Sequence, residues 1–355
     1  MKKVLFVSRD SSVETNGGTL VSQRNERLLK KLGYSTNRFV IPQPSMPTRI
    51  HNFLFKEGYG ETKSLKQAYI HELSKDYEFI FFDGSIYGGF INIAKSFGKK
   101  IVCFYHNVEY SYYSQKARIS RKLLDRAFVK FIYRNEAIAT INADMIITLT
   151  ERDSKGLKKI YNRGADIIVP TSFEARNIES LYKDRNQNNS PYLLFVGSNF
   201  FANKEGIEYF INYIAPKINY KVKIVGNIKD AFVSKSSIPP NIEFLGKVDS
   251  LDDLYVNAVA VVAPILSGSG LKTKTAEALS YGKTVIGTEE AFSGIDLQYF
   301  PKAGTIAKDA TDFVTAIAEL NPNHVLNQSA LDLFHKHLSD DVYLSKLSRT
   351  ISSLI

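Results

Sequence analysis

Apolar residues recur along this chain in short runs, separated by longer stretches with helical spacing. Val4–Ser8, Thr36–Ile41, Phe79–Phe82, Ile101–Tyr105, Met145–Leu149 and Ile167–Val169 read as buried strands. Stretches around 19–32, 64–75, 88–98, 117–141 and 151–162 lie between them and predict helices. Strands that alternate with helices predict a parallel sheet covered on both faces. The polar stretch Arg176–Ser190 then interrupts the pattern and reads as a linker. The alternation restarts at Tyr192–Val196, with further strands at Val222–Val225, Ile242–Leu245, Val259–Ala263 and Thr284–Ile286. Helices are expected around 204–214, 250–257, 272–281 and 308–319, and the last stretch from Leu331 also reads as helical. The prediction is therefore α/β, with two Rossmann-like, doubly wound domains at 1–172 and 191–330, a linker at 173–190, and a helical segment at 331–355 packing back toward the first domain. Sheets of this kind bind ligands at the carboxyl ends of their strands, and a cleft between two such domains is the expected active site.

Composition narrows the class. At 355 residues the chain exceeds what one core usually holds, and a hydrophobic fraction of 44% with 23% charged residues excludes long disorder, collagen-like and coiled-coil sequences. The single cysteine, Cys103, cannot form an internal disulfide and suits a reducing compartment. The apolar run after Met1-Lys2-Lys3 is cut by Arg9-Asp10 too early for a secretory signal, and Val256–Leu266 is too short to span a bilayer. A cytoplasmic location follows, with peripheral association on the inner face of a membrane as a further expectation.

That further expectation comes from charge. Residues 1–170 hold 28 Lys and Arg against 16 Asp and Glu, so the whole excess of the +10 chain lies in its first half. A basic domain attracts polyanions: nucleic acid, anionic lipid or phosphorylated substrates. Arg118, Lys122, Arg126, Lys130 and Arg134 recur every four residues, which on a single helix forms one slowly winding row. Such a helix could lie on an anionic membrane surface; an ordinary solvated face is the competing reading. No RNA-recognition signature accompanies the charge, so nucleic acid is not expected as a partner.

The most informative segment runs from Ala263 to Leu279. A strand leads into Gly268-Ser269-Gly270-Leu271-Lys272-Thr273-Lys274, and a helix follows. Gly268 and Gly270 let backbone amides approach an anion. The free N–H groups of the helix start face the same place, and Lys272 and Lys274 add full charges, so the segment suits a diphosphate. Glu277 stands one turn beyond Lys274, where its carboxylate can accept two hydrogen bonds from a ribose diol.

This segment resembles the C-terminal signature of retaining glycosyltransferases of the GT-B fold, family four, and the resemblance extends over nearly the whole chain. Asn16-Gly17-Gly18-Thr19 resembles that family's N-terminal glycine loop, and His106-Asn107-Val108-Glu109 its histidine motif. Phe195-Val196-Gly197-Ser198 with Asn203-Lys204-Glu205-Gly206 resembles the opening of the donor domain; Asn241 to Val248 resembles the base-binding strand and loop. The chain departs from the family pattern at Ser269, where members often carry the first Glu of Glu-x7-Glu, and at Ser198-Asn199, where many carry Arg.

The resemblance implies a hexosyltransferase that moves a sugar, with retention, from a nucleotide sugar to a glycan or lipid-linked acceptor, in the manner of bacterial surface polysaccharide enzymes. It implies donor contacts at Gly17, Gly197, Ser198, Lys204, Gly226, Lys247 and Val248, and at Gly268, Ser269, Gly270, Leu271, Lys274 and Glu277. Catalytic roles would fall to His106, Gly18 and Lys272. Asp83, Asn107 and Glu109 would meet the acceptor in the first domain, although Asp83 also reads as a helix N-cap. No cofactor is expected and no metal, since the lysines and helix end supply the positive charge and the six histidines show no ligand spacing. A non-catalytic nucleotide-sugar-binding partner of a transferase and a GT-B epimerase are the alternatives.

Overall fold

The computed structural model describes residues 2–9, 17–120, 123–183, 190–229, 232, 238–267, 273–295, 297–298 and 301–354. The chain divides into two units. The first holds the residues up to Pro170 together with those from Tyr343 onward, and the second runs from Thr171 to Val342.

In the first unit, β1 (Lys3–Arg9), β2 (Ser35–Ile41), β3 (Phe79–Phe82), β4 (Ile101–Tyr105), β5 (Met145–Thr148) and β6 (Ile167–Ile168) form one sheet in the order β2-β1-β3-β4-β5-β6. Every pairing is parallel. The connections are α1 (Gly17–Lys31), α2 (Met46–Leu54), α3 (Lys63–Leu73), α4 (Gly88–Ser96), α5 (Glu109–Ser120), α6 (Leu123–Asn142) and α7 (Glu151–Tyr161). Successive side chains in a strand point to opposite faces. Val4 and Phe6 join one core with Leu28, Phe79 and Phe81, while Leu5 and Val7 join another with Ile80, Phe82 and Phe90. Both faces are covered, so the inner strands are apolar throughout. Strand β2 lies at the edge and carries Thr36, Asn37 and Arg38.

Glu26 of α1 reaches that edge. Its carboxylate accepts from Thr36 Oγ1 at 2.7 Å and from the Arg38 guanidinium, with Nε at 3.1 Å, and pairs with Lys30 at 3.2 Å. Burial opposes ionisation there, but Arg38, Thr36 and Lys30 outweigh it and hold the carboxyl at about 2. A carboxyl depressed on folding stabilises the fold fully above its unfolded value and loses that contribution as pH falls through the folded one. Part of the stability of the first unit should therefore disappear between about pH 4.5 and pH 2. Chemical-denaturation curves across that window should flatten in Glu26→Gln.

In the second unit, β7 (Tyr192–Val196), β8 (Lys221–Val225), β9 (Ile242–Gly246), β10 (Ala260–Ala263), β11 (Thr284–Gly287) and β12 (Gly304–Ile306) form a second parallel sheet, ordered β12-β11-β10-β7-β8-β9. Its helices are α8 (Ile178–Lys183), α9 (Phe201–Tyr213), α10 (Asp252–Asn257), α11 (Thr273–Ser280), α12 (Ala310–Ala318) and α13 (Gln328–His337). The last helix of the chain, α14 (Asp340–Ser352), buries Leu347 and Ile351 in the Val4–Phe6 core of the first unit.

Several expectations need correction. The stretch 331–355 is two helices shared between the units: α13 packs Ala330, Leu333 and Phe334 into the second unit, and only the chain from Tyr343 belongs to the first. The stretch 173–190 is not a bare linker, because α8 is anchored by Tyr182, whose hydroxyl donates to the Tyr281 carbonyl at 2.8 Å. Helix α2 was hidden by the prolines before and within it; Pro47 is one of its first residues, where a missing N–H costs nothing, and Ser45 is its N-cap. Strand β12 is three residues long with two exposed, so it shows no apolar run.

The basic row is not on one helix. Arg118 lies in the last turn of α5, while Arg126, Lys130 and Arg134 belong to α6, which packs against α5. Lys122 lies outside the described residues. Helix α5 starts independently because the Glu136 carboxylate of α6 receives its first two free amides, Glu109 N–H at 2.8 Å and Tyr110 N–H at 2.9 Å. Among the described residues no helix is long and apolar enough to cross a membrane.

Candidate active site

Strand order locates the place where each sheet can bind a ligand. In the first, β1 leads outward to β2 and the chain then returns to β3 on the other side, so the reversal falls between β1 and β3. In the second it falls between β7 and β10. At such a point the loops after adjacent strands diverge and leave a crevice at the carboxyl edge.

At the edge of the first sheet, Asp83 follows β3 and His106 follows β4. The Asp83 carboxylate is 5% exposed and accepts from Asn25 Nδ2 at 2.7 Å. His106 Nε2 lies 3.1 Å from the same oxygen, and its ring packs edge-on against Phe104. Burial pushes the Asp83 carboxyl up, but His106, Ser22 and Asn25 together hold it below the usual carboxylate range. A carboxylate behind an imidazole fixes its orientation and tautomer. Asp83 is thus placed behind His106, and it does not cap a helix: α4 begins at Gly88 with Tyr87 at its N-cap. Gly17 and Gly18 open α1, and Asn107 is half-buried in the turn after His106.

Glu109 closes that turn. Burial and the neighbouring Glu136 carboxylate push its carboxyl up to about 8, against the pull of Arg9. Glu136 is fully buried and receives Ser85 Oγ and the Tyr161 hydroxyl, each at 2.8 Å, besides the two amides of α5. Burial raises its carboxyl despite these bonds. This residue, which holds the His106–Glu109 turn, was absent from the sequence expectations. Its signal was a polar pair, Asn135-Glu136, on the α6 face that also carries Ile132 and Ala139.

At the edge of the second sheet the glycines allow close approach. A side chain on Gly226, whose φ is +115°, would place its Cβ 2.0 Å from the Gly197 carbonyl, and one on Gly206 would meet the Pro264 carbonyl at 1.8 Å. The first contact packs the ends of β7 and β8 together; the second presses α9 onto the chain leaving β10. Asn203, on the first turn of α9, is 6% exposed; its amide donates to the Ser198 carbonyl at 2.7 Å and its oxygen accepts from Lys274 Nζ. Lys274 also lies over the Phe195 ring at 5.0 Å. Glu277, one turn further along α11, accepts from the Tyr255 hydroxyl at 3.2 Å, and Tyr255 is stacked on Tyr281. Burial raises the Glu277 carboxyl above its ordinary range, with Tyr255 and Arg176 opposing and Asp252 adding to the rise.

The structure thus gathers Gly197, Ser198, Gly226, Lys274 and, through α11, Glu277 along one sheet edge. Lys204 is half-exposed on α9, and Lys247 and Val248 follow β9, with Val248 against the core and Lys247 exposed. Gly268, Ser269, Gly270, Leu271 and Lys272 lie outside the described residues, between Ser267 and Thr273. Ser267 Oγ donates to Glu205 Oε2 at 2.7 Å, which ties the start of that segment to α9. Asn203 and Tyr255 were not singled out as site residues, because their partners lie 71 and 22 residues away in the chain. Among the described residues no group of three or more His, Cys, Asp or Glu side chains is placed to hold a metal ion.

Lys283, beside this edge in sequence, has a structural task. Its ammonium is fully buried and donates to the carbonyls of Val256, Ala258 and Val325 at 3.0, 2.8 and 2.6 Å. Lys283→Met keeps the length but removes the donors, so it should destabilise the second unit by about 3 kcal/mol. Chemical denaturation would show this as an earlier transition for that unit.

Residues 190–323 match the model of a family described as glycosyl transferases group 1. No curated protein sequence matches the chain. Among solved structures, the Anabaena HepE protein in complex with UDP superposes with a TM-score of 0.70 at 13% identity, covering 99% of this chain and 100% of that one. The apo lipopolysaccharide outer core galactosyltransferase WaaB gives 0.61 at 13% identity, over 99% and 100% of the two chains. A Rickettsia africae glycosyltransferase gives 0.65 at 12% identity, over 99% and 98%. The family match thus lies within the second unit, and the solved structures show that the chain has the GT-B fold.

Proposed function

We propose that the protein is a retaining glycosyltransferase that moves a hexose from a nucleotide sugar to a glycan or lipid-linked acceptor in bacterial surface polysaccharide synthesis. The observation that carries the reading is the β7/β10 reversal, where a glycine-containing edge, Lys274 held by Asn203, and Glu277 on the following helix meet within the family-matched region. The Anabaena HepE protein has been solved with UDP and with UDP-glucose, which supports a uridine diphosphate sugar as the first donor to try.

In this reading the ribose hydroxyls bind Glu277. The diphosphate binds the backbone amides of residues 268–271 with Lys272 and Lys274, and the base lies by the loop of Lys247 and Val248. Gly197, Ser198, Lys204 and Gly226 complete the donor side. As the bond from the anomeric carbon to the diphosphate oxygen breaks, positive charge grows on the sugar and negative charge on the leaving group. Preorganised amides and lysines stabilise the latter. The acceptor oxygen bonds to the anomeric carbon on the same face, and its proton passes to the departing phosphate oxygen. His106, held by Asp83, meets the donor sugar, with Gly17 and Gly18 beside it. Asn107 and Glu109 meet the acceptor. The positive charges of this set do the neutralising work that a metal would otherwise do.

The test is a thermal-shift panel of nucleotide sugars on the full chain, followed by transfer assays with the donor that stabilises it. Stabilisation by a UDP-sugar and a product of unchanged anomeric configuration are expected; an inverted product would refute retention, and no response to any nucleotide would refute the assignment.

A further inference from the structure

The first unit contains a second feature that the donor chemistry does not use. A cavity of about 850 Å³ runs from the carboxyl edge of the first sheet outward between α2, α5 and α6. Its inner end is polar, with Arg9 at the end of β1, Thr19 on the first turn of α1 and Glu109 after the His106 turn. Its walls are mostly apolar and aromatic, including Tyr59, Tyr87, Tyr113 and Phe128. At its outer end Met46, Ile50 and Leu124 are 61%, 50% and 72% exposed. Leu54 and Phe55, at the end of α2, and Ile119 on α5 are exposed as well. Three large apolar side chains exposed on the cavity lining, with others exposed on the same helices, mark a surface that meets something apolar.

Two cations interrupt the apolar lining. Arg49 is held by the Pro44 carbonyl at 3.0 Å and lies over the Phe128 ring at 5.9 Å, and Lys116 lies over Tyr113 at 5.9 Å. The half-buried Arg49 guanidinium and the exposed Lys116 ammonium are thereby each set by a ring on the cavity lining, where an anion can pair with both. With Arg9 they make three basic groups against the carboxyls of Glu109 and Asp125. Three cations against two carboxyls leave the balance positive, and burial with the neighbouring Glu136 raises the Glu109 carboxyl against the pull of Arg9, which adds to it.

We propose that this cavity binds the acceptor, and that the acceptor is amphipathic: an apolar chain lying along the α2–α5–α6 walls and a phosphate or diphosphate against Arg49 and Lys116. This rests on the transferase reading, which supplies the word acceptor, and deepens it by naming the chemical class. The inner end at Glu109 would then receive the hydroxyl-bearing part of the molecule, next to the turn that carries His106. The exposed lip would continue the apolar channel toward the bilayer from which such a lipid comes. The charge that the sequence placed on one long helix is replaced here by cations on two helices around one opening.

The full chain should be titrated by calorimetry with decyl phosphate below its micellar concentration, with decanol and with inorganic phosphate, and with UDP in parallel. Decyl phosphate should bind saturably and about tenfold or more tightly than either fragment, because each half of the site adds to the other. Arg49→Gln together with Lys116→Gln should weaken decyl phosphate about tenfold or more while leaving decanol and UDP unchanged. Leu124→Glu, at an exposed position, should weaken decyl phosphate and decanol alike. Equal binding of decanol, or of phosphate alone, overturns the proposal, as does a double variant that still binds decyl phosphate normally. A double variant that loses only its sedimentation with phosphatidylglycerol vesicles also overturns it, since the cations then serve a bilayer surface. UDP binding without decyl phosphate binding removes this inference and leaves the transferase reading standing; decyl phosphate binding without any nucleotide binding removes the transferase reading, and with it the assignment of the bound lipid as an acceptor.

Discussion

Glu277→Ala is expected to lower affinity for the donor nucleotide about a hundredfold and to leave the protein folded. A carboxylate that accepts two hydrogen bonds from a ribose diol contributes charge-assisted bonds, each worth about 1.5 kcal/mol or more. The side chain is half-buried, and its one described protein partner is the Tyr255 hydroxyl, which remains stacked on Tyr281 when the carboxylate is removed. Calorimetric titration with UDP reads the affinity, and a thermal melt reads the fold. Lys272→Ala should lose nucleotide affinity by a comparable factor. Unchanged affinity in Glu277→Ala would remove the ribose from α11 and the donor site with it. Tyr255→Phe serves as the control: it deletes the hydroxyl that holds Glu277, so a smaller loss of affinity is expected than from removal of the carboxylate itself.

His106→Ala should reduce turnover by about two to three orders of magnitude while nucleotide affinity stays near wild type. The size is that expected for one preorganised group acting on transition-state charge. The separation follows from position: His106 belongs to the first unit, and the proposed nucleotide contacts belong to the second. Asp83→Asn keeps the shape and removes the charge. Because Asp83 is buried and bonded to His106, Asn25 and Ser22, its loss should act through the imidazole, lowering turnover about tenfold with little change in donor KM. The pH profile separates positioning from mere structure. The Asp83 carboxyl is held below the usual carboxylate range, so in the folded protein it stays ionised until the pH falls through that lowered value, and only there does the imidazole lose its charged partner. Turnover of the wild type should fall in that acidic limb, and Asp83→Asn should lack it. A variant with normal turnover in His106→Ala would take His106 out of the reaction.

The class of fold was legible in the chain because the inner strands are buried on both faces. Phe79–Phe82 and Ile101–Tyr105 are apolar at every position but are bounded by charged or polar residues, so their limits coincide with the observed strands. The edge elements were less legible. Strand β12 and helix α2 carry exposed or proline-containing segments whose pattern is set by local caps rather than by a core. The row from Arg118 to Arg134 shows the limit of periodicity: spacing defines a stripe only while one helix continues, and Arg118 belongs to α5 whereas Arg126, Lys130 and Arg134 belong to α6, which packs against it.

By itself the sequence determined two sheets in tandem and the strand ends that carry His106, Asp83 and Gly197, because each depends on residues near one another in the chain. Only the tertiary structure decided that Asp83 stands behind His106, that Glu136 holds the turn between them and α5, and that Asn203 reaches Lys274. It also decided that α2, α5 and α6 enclose a cavity. Those are pairings between residues tens of positions apart, and hydrophobic periodicity, which records only whether a side chain is buried, carries no information about which buried polar group meets which.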